Sequence, residues 1–373
     1  MKKKVLFLIR DLGHGGAEKV LVNLVNHMDR AKFDITVMTL FDEGVNKKFL
    51  APHIKYKTCF KKSFPANSHF LKLFSPELLH TIFIKDEYDI EIAYLEGPSA
   101  RVISGCKNNK TKLVSWIHIE FESIKAAAGA FRSKREAERC YNSFDKIIGV
   151  SRKVISDFTD KLNISTKTNV LYNTNNTSDI LTKSKESTEL KFSDSNFNWC
   201  GVGRLIPHKK FDRLLRIQKK LLESYPNTHL YILGTGSHEN ELKQLCIENN
   251  IEHSVTFLGY QENPYKFVAK CDLFACASLK EGFSTAATEA LIVGTPVCTV
   301  EVAGMKEMLG ENNEYGIVTE NNEDALYQGI KSLLDNPKLL KHYKEKAIER
   351  GKFFSTERTV NAVEDMLEEI SQQ

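Results

Sequence analysis

The eight cysteines include no C-x-x-C pair and no Cys/His cluster at zinc spacing, so neither a zinc ribbon nor a disulfide framework is indicated. Buried thiols in a reducing cytosol are the expectation. No apolar run approaches the ~20 residues of a membrane-spanning helix. The run Val5–Ile9 is five residues long before Arg10 and Asp11, too short for the core of a signal peptide. Neither half carries G-x-G-x-x-G, so a nicotinamide dinucleotide has no fingerprint. The net charge is only +4, so nucleic acid is not implied as a partner. These absences leave a cytoplasmic protein, or one resting on the inner face of a membrane without crossing it.

With 373 residues, 42% hydrophobic and 27% charged, the chain is globular and long enough for two domains. Short apolar runs alternate with helical patterns throughout, the signature of parallel α/β architecture. In the first half Val5–Ile9 reads as a buried strand. A glycine loop with Gly15 and Gly16 follows, then a helix bearing Val20, Leu21, Leu24 and Val25. Further strands are expected over 33–40, 90–94, 112–117 and 146–150. Ligands bind beyond the carboxyl ends of parallel strands, which puts Glu96 and His118 on the active edge. Residues 55–74 interleave five lysines with Phe60, Phe64, Phe70, Leu71, Leu73 and Phe74, as a peripheral membrane protein would towards anionic lipid. A solvated helix whose aromatics pack on the core is the competing reading. The asparagine-rich stretch 169–177 and the polar stretch 184–195 read as a linker.

In the second half a strand ends at Gly203, with Arg204 and Lys209 in the turn behind it. Two cations there suit a diphosphate. A strand and glycine turn reach Gly234, and another strand ends at Tyr260, where a base could pack. The stretch Glu281–Pro296 reads as a tight turn, a cap at Ser284 or Thr285, and a helix stopping at Gly294. A helix N-terminus collects unpaired N–H groups and about half a positive charge, a seat for phosphate. Glu281 precedes that seat, and Glu289 lies roughly 7–8 Å beyond it along the axis. Carboxylates on both sides of an anion site suit a molecule with hydroxyls at its ends and phosphates between them. A nucleotide sugar has that shape.

Gly15-Gly-Ala-Glu18, Gly203-Arg-Leu-Ile-Pro-His-Lys209, Gly234-Thr-Gly236, Leu258-Gly-Tyr260, Glu281-Gly-Phe to Glu289-Ala-Leu and Gly294-Thr-Pro-Val297 together resemble the retaining GT-B glycosyltransferases of family four. The resemblance implies two Rossmann-like domains facing across a cleft: an acceptor-binding domain over 1–180 and a nucleotide-sugar-binding domain over 181–355. A helix over 356–373 would return to the first domain. It implies that Arg204 and Lys209 bind the donor diphosphate, Glu281 the sugar hydroxyls and Glu289 the ribose. Amides of Ser284, Thr285 and Ala286 would take a phosphate, Gly15 and Gly16 would close over the donor, and His118 would approach the sugar or acceptor.

The implied reaction moves a hexose or N-acetylhexosamine from a UDP-sugar to a lipid-diphosphate-linked or polysaccharide acceptor, with retention. The related GT-A enzymes use a D-x-D-bound metal, and no D-x-D occurs here, so no metal or other cofactor is expected. The alternatives are a non-catalytic GT-B subunit that binds acceptor for another enzyme, and a nucleotide-sugar epimerase.

Overall fold

Val5 to Ile9 are fully buried, as a central strand covered by helices on both faces requires. They belong to β1 (Lys3–Ile9) in a computed structural model that describes residues 2–13, 15–193 and 195–372. His14, inside the first glycine loop, lies outside the described residues. The chain divides into two units, Met1–Asn175 with Thr356–Gln373, and Asn176–Ser355.

The first unit is a seven-stranded parallel sheet in the order β3-β2-β1-β4-β5-β6-β7. The other strands are β2 (Phe33–Phe41), β3 (Lys55–Phe60), β4 (Ile90–Ala93), β5 (Lys112–Ile117), β6 (Lys146–Gly149) and β7 (Thr168–Val170). Strand order reverses between β1 and β4, so the loops leaving those two strands diverge and open a crevice at their carboxyl ends. The helix Thr356–Ser371 packs on the helix Gly16–His27 within this unit, burying Val360, Val363, Met366, Leu367 and Ile370. Polar contacts fix its register: Asp29 N–H donates to Glu364 at 2.6 Å, and Glu368 and Glu369 pair with Lys32 and Lys146, each at 2.9 Å.

One stretch differs from its sequence reading. Residues 55–60 form the edge strand β3 rather than an insert. Its lysines alternate with half-buried residues, and charge on an edge discourages pairing with another chain. Phe41, Phe60, Phe64, Phe70 and Phe74 follow one another with ring centroids 5.3–5.8 Å apart, so most of these aromatics pack together. The asparagine run ends where the chain passes from one unit to the next, and Asn173, Thr174 and Asn175 are buried there. Thr356 donates to the Asn175 carbonyl at 2.7 Å, so the chain leaves the first unit and re-enters it at one point. The second unit begins at Asn176, ahead of the helix Thr177–Ser184.

The second unit is a six-stranded parallel sheet in the order β10-β9-β8-β11-β12-β13. Its strands are β8 (Phe197–Val202), β9 (Thr228–Leu233), β10 (Val255–Gly259), β11 (Leu273–Cys276), β12 (Val297–Val300) and β13 (Ile317–Thr319). Trp199 is fully buried here, and its indole N–H is satisfied by Gln218 at 2.8 Å. The order reverses between β8 and β11, which places the turns carrying Arg204, Lys209 and Glu281 beside one switch point.

Candidate active site

The turn after β8 is built on glycines of the neighbouring turn. A Cβ on Gly234, whose φ is +135°, would lie 1.9 Å from the Gly203 carbonyl oxygen, and one on Gly236 would lie 2.2 Å from that of Leu205. Only residues without a side chain allow this approach. Leu205 N–H then donates to Thr235 at 2.9 Å and His238 N–H to Leu205 at 2.9 Å, fixing the strip that carries Arg204. Gly234 therefore acts through Arg204's turn. Arg204 is exposed; its carbonyl accepts from Ile206 N–H at 2.9 Å, while its side chain makes no hydrogen bond or ion pair among the described residues.

A short 3-10 turn, Pro207–Lys209, precedes the helix Phe211–Leu222. The Leu279 N–H donates to the His208 carbonyl at 2.8 Å, tying this turn to the one after β11. That bond brings Lys209 to Glu281: Nζ lies 2.6 Å from Oε1, with the two side chains 21% and 10% exposed. Ser278 Oγ donates to the same carboxylate oxygen at 2.7 Å. The buried Cys276 thiol lies 3.7 Å from it, held up by burial and then by the charge of Glu281, so it remains a neutral donor. Lys209 and Glu281 thus neutralise one another before any substrate binds.

Behind Glu281 the Ser284 side chain caps the helix Thr285–Ile292 by accepting from Ala287 N–H at 3.3 Å. Thr288 N–H makes the first backbone bond back to Ser284 at 3.1 Å. The amides of Thr285 and Ala286 precede that bond and keep no partner within the helix. They aim the positive end of the helix at the space beside Glu281. One turn in, Glu289 is buried and accepts from the Tyr265 hydroxyl at 3.2 Å. Val202, Pro264, Tyr265, Val268, Ala286 and Glu289 line a small, partly open pocket. Tyr260 is 60% exposed beyond β10, and the aromatic against Glu289 is Tyr265. Sequence reasoning missed Tyr265. Its signal was Asn263-Pro264, which starts the one-turn helix Tyr265–Val268.

In the first unit the crevice residues form a separate group. Gly15 precedes the helix Gly16–His27, and a Cβ on it would lie 2.0 Å from the Glu18 carboxylate. Glu18 is close enough that its charge helps raise both Tyr94 and Glu96, where burial is the larger cause. The Glu96 carboxylate accepts the backbone N–H of His118 at 3.0 Å. The His118 ring is buried 4.9 Å from Tyr94 and stacks 6.4 Å from Trp116. Burial lowers its pKa to about 3, against a contact with the Tyr94 backbone, so the ring is neutral. Among the described residues its Nε2 has no hydrogen-bond partner.

Comparison with known proteins bears on family and fold. Residues 182–350 match the model described as "Glycosyl transferases group 1", and residues 14–179 match "Glycosyltransferase Family 4". The chain is 32% identical over 360 residues to the N-acetylgalactosamine-N,N'-diacetylbacillosaminyl-diphospho-undecaprenol 4-alpha-N-acetylgalactosaminyltransferase of Campylobacter jejuni, covering 94% of this chain and 96% of that one. Among solved structures it is similar to Anabaena Alr3699/HepE in complex with UDP, at a TM-score of 0.78, 20% identity and coverage of 99% and 100%. Staphylococcus aureus TarM, crystallised with UDP and a glycan, aligns at a TM-score of 0.73 and 16% identity over the whole of both chains. The two parallel-sheet units with their returning helix have the GT-B fold, and the chain belongs to family four of the glycosyltransferases as a hexosyltransferase.

Proposed function

We propose that the enzyme moves a hexose or N-acetylhexosamine from a nucleotide-diphosphate sugar, with UDP as the favoured carrier, to a lipid-diphosphate-linked or polysaccharide acceptor in bacterial surface glycan synthesis. The single observation that carries this reading is the 2.6 Å Lys209–Glu281 pair at the mouth of the helix Thr285–Ile292. A diphosphate seated on the amides of Thr285 and Ala286 draws Lys209 away from Glu281. The freed carboxylate then grips the sugar hydroxyls, while Arg204 takes the outer phosphate oxygens by forked hydrogen bonds. Glu289 and Tyr265 receive the ribose. The relative from Campylobacter, whose name specifies an undecaprenol diphosphate acceptor, supports the acceptor class. The UDP complexes of HepE and TarM support the carrier.

Transfer with retention breaks the bond between C1 and the phosphate oxygen while the acceptor oxygen bonds to C1 on the same face. The acceptor's proton passes to the departing phosphate oxygen. On this reading negative charge develops beside Lys209, Arg204 and the helix N-terminus, where preorganised positive charge lowers a barrier most. Three such groups do the electrostatic work of a metal, so the reaction needs none. In the first unit the neutral His118 offers its Nε2 to a substrate hydroxyl. Lys61, Lys62, Phe70 and Leu73 give that unit a basic and apolar corner suited to the surface of an anionic bilayer.

The test is release of nucleoside diphosphate from a sugar donor in the presence of acceptor and excess chelator. Lys209→Ala and Glu281→Ala should each slow turnover by about 10²–10³ while leaving the chain folded, with a lowered melting temperature where the remaining partner is left unpaired. Full turnover in both variants removes the pair from the mechanism. Isomerised donor formed without acceptor would mark an epimerase instead.

A further inference from the structure

His80, Glu91 and Cys106 are scattered in the sequence, yet a ligand atom from each lies within 4.8 Å of the other two. Glu91 is the second residue of β4, held by backbone pairing to Leu6 and Leu113, and its carboxylate is 3% exposed. Among the described residues its one side-chain partner is His80, whose Nε2 lies 2.8 Å from Oε2. His80 comes from the helix Pro76–Phe83. Cys106 follows the helix Pro98–Ile103, and its position depends on Gly105, where a Cβ would lie 2.0 Å from the Pro76 carbonyl oxygen. That close approach sets the half-exposed thiol against the histidine one turn later.

The buried Glu91 carboxylate faces His80, whose contacts with Cys106 and Glu91 keep it charged against burial, so a cation bound here would take over that positive charge. Thiolate, imidazole and carboxylate are together a zinc ligand set, with preferred distances of about 2.0–2.3 Å. Tetrahedral coordination at those lengths separates ligand atoms by roughly 3.3–3.8 Å, so the present cluster needs only small side-chain rotations. Two of the three groups reach the surface, which gives an ion a way in.

We propose that His80, Glu91 and Cys106 bind one borderline-soft divalent cation of the zinc class, with water as the fourth ligand. Binding expels the Cys106 proton and any proton on His80, and it ties two helices to β4. Glu91 lies near the amino end of β4, five residues before Glu96 and away from the catalytic edge, so the ion is independent of the transfer reaction.

The full-length chain, stripped with chelator, is titrated with Co²⁺ and then Zn²⁺. One Co²⁺ per chain should bind, with a thiolate-to-cobalt charge-transfer band that Zn²⁺ abolishes and a raised melting temperature. Cys106→Ser should lose both band and temperature shift, His80→Gln should weaken binding at least tenfold, and Cys59→Ser should leave both signals intact. Absence of the band from the wild type overturns the proposal, as does a band that survives Cys106→Ser. Chelator-resistant turnover in Cys106→Ser keeps this outcome separate from that of the transferase test.

Discussion

A neutral, buried imidazole has a consequence for stability at the level of one residue. Unfolded, His118 takes up a proton near pH 6.5, whereas in the folded chain burial delays this to about pH 3. Between those values the unfolded state binds more protons, so stability present above pH 6.5 is lost as pH falls towards 3. Urea midpoints for wild type and His118→Asn at pH 7 and pH 4.5 measure this. The wild type should lose on the order of 2 kcal/mol more than the variant over that step, and equal losses would contradict the neutral-histidine assignment. Arg204, Lys209, Glu281 and Glu289 could be named from the sequence because each follows a recognisable strand or opens a helix. The Lys209–Glu281 bond could not, since it joins residues 72 apart through the backbone link between Leu279 and His208. His80, Glu91 and Cys106 were silent for the same reason: their spacing resembles no metal motif, and only the fold assembles them.

Strands marked by a continuous apolar run, as β1, or by alternation, as β2, could be read directly. The edge strand β3 could not, because alternating lysine and aromatic residues look the same in an edge strand as in a membrane-facing insert. Packing decides between them, and it divides the stretch. Lys55 and Lys57 pair with Asp34 and Asp86. Arg101 and Arg132 donate to the carbonyls of Leu71, Lys72, Leu73 and Phe74, closing the end of the helix Asn67–Lys72. These bonds hold Leu73, 73% exposed, at a fixed corner ahead of the helix Pro76–Phe83, which exposes Leu78 and Ile82. Lys61 and Lys62 are exposed as well, and the proposed membrane contact would use their charge together with the apolar Leu73. Vesicles containing anionic lipid should retain the protein at low salt and release it at high salt, and Leu73→Glu should weaken retention severalfold. Equal retention on neutral vesicles would contradict this use of the corner. No helix among the described residues is long and apolar enough to cross a membrane.

At the scale of the whole molecule, one architectural device is used twice. Each sheet reverses its strand order once, at β1/β4 and at β8/β11, and the candidate residues of each unit gather at that reversal. The strand-helix alternation made two parallel units legible, and the amphipathic spacing of Val360, Val363, Met366 and Ile370 made the last helix legible. The point of division was less so, because a polar run can be buried when its backbone is satisfied, as Asn173 to Asn175 are. The central claim is that the second unit seats a nucleoside diphosphate with Lys209, Arg204 and the start of the helix Thr285–Ile292. Calorimetric titration of UDP into the chain with chelator present tests it most directly. One UDP per chain should bind, with affinity at least tenfold weaker in Lys209→Ala and in Arg204→Ala. Undiminished UDP affinity in both variants would contradict it.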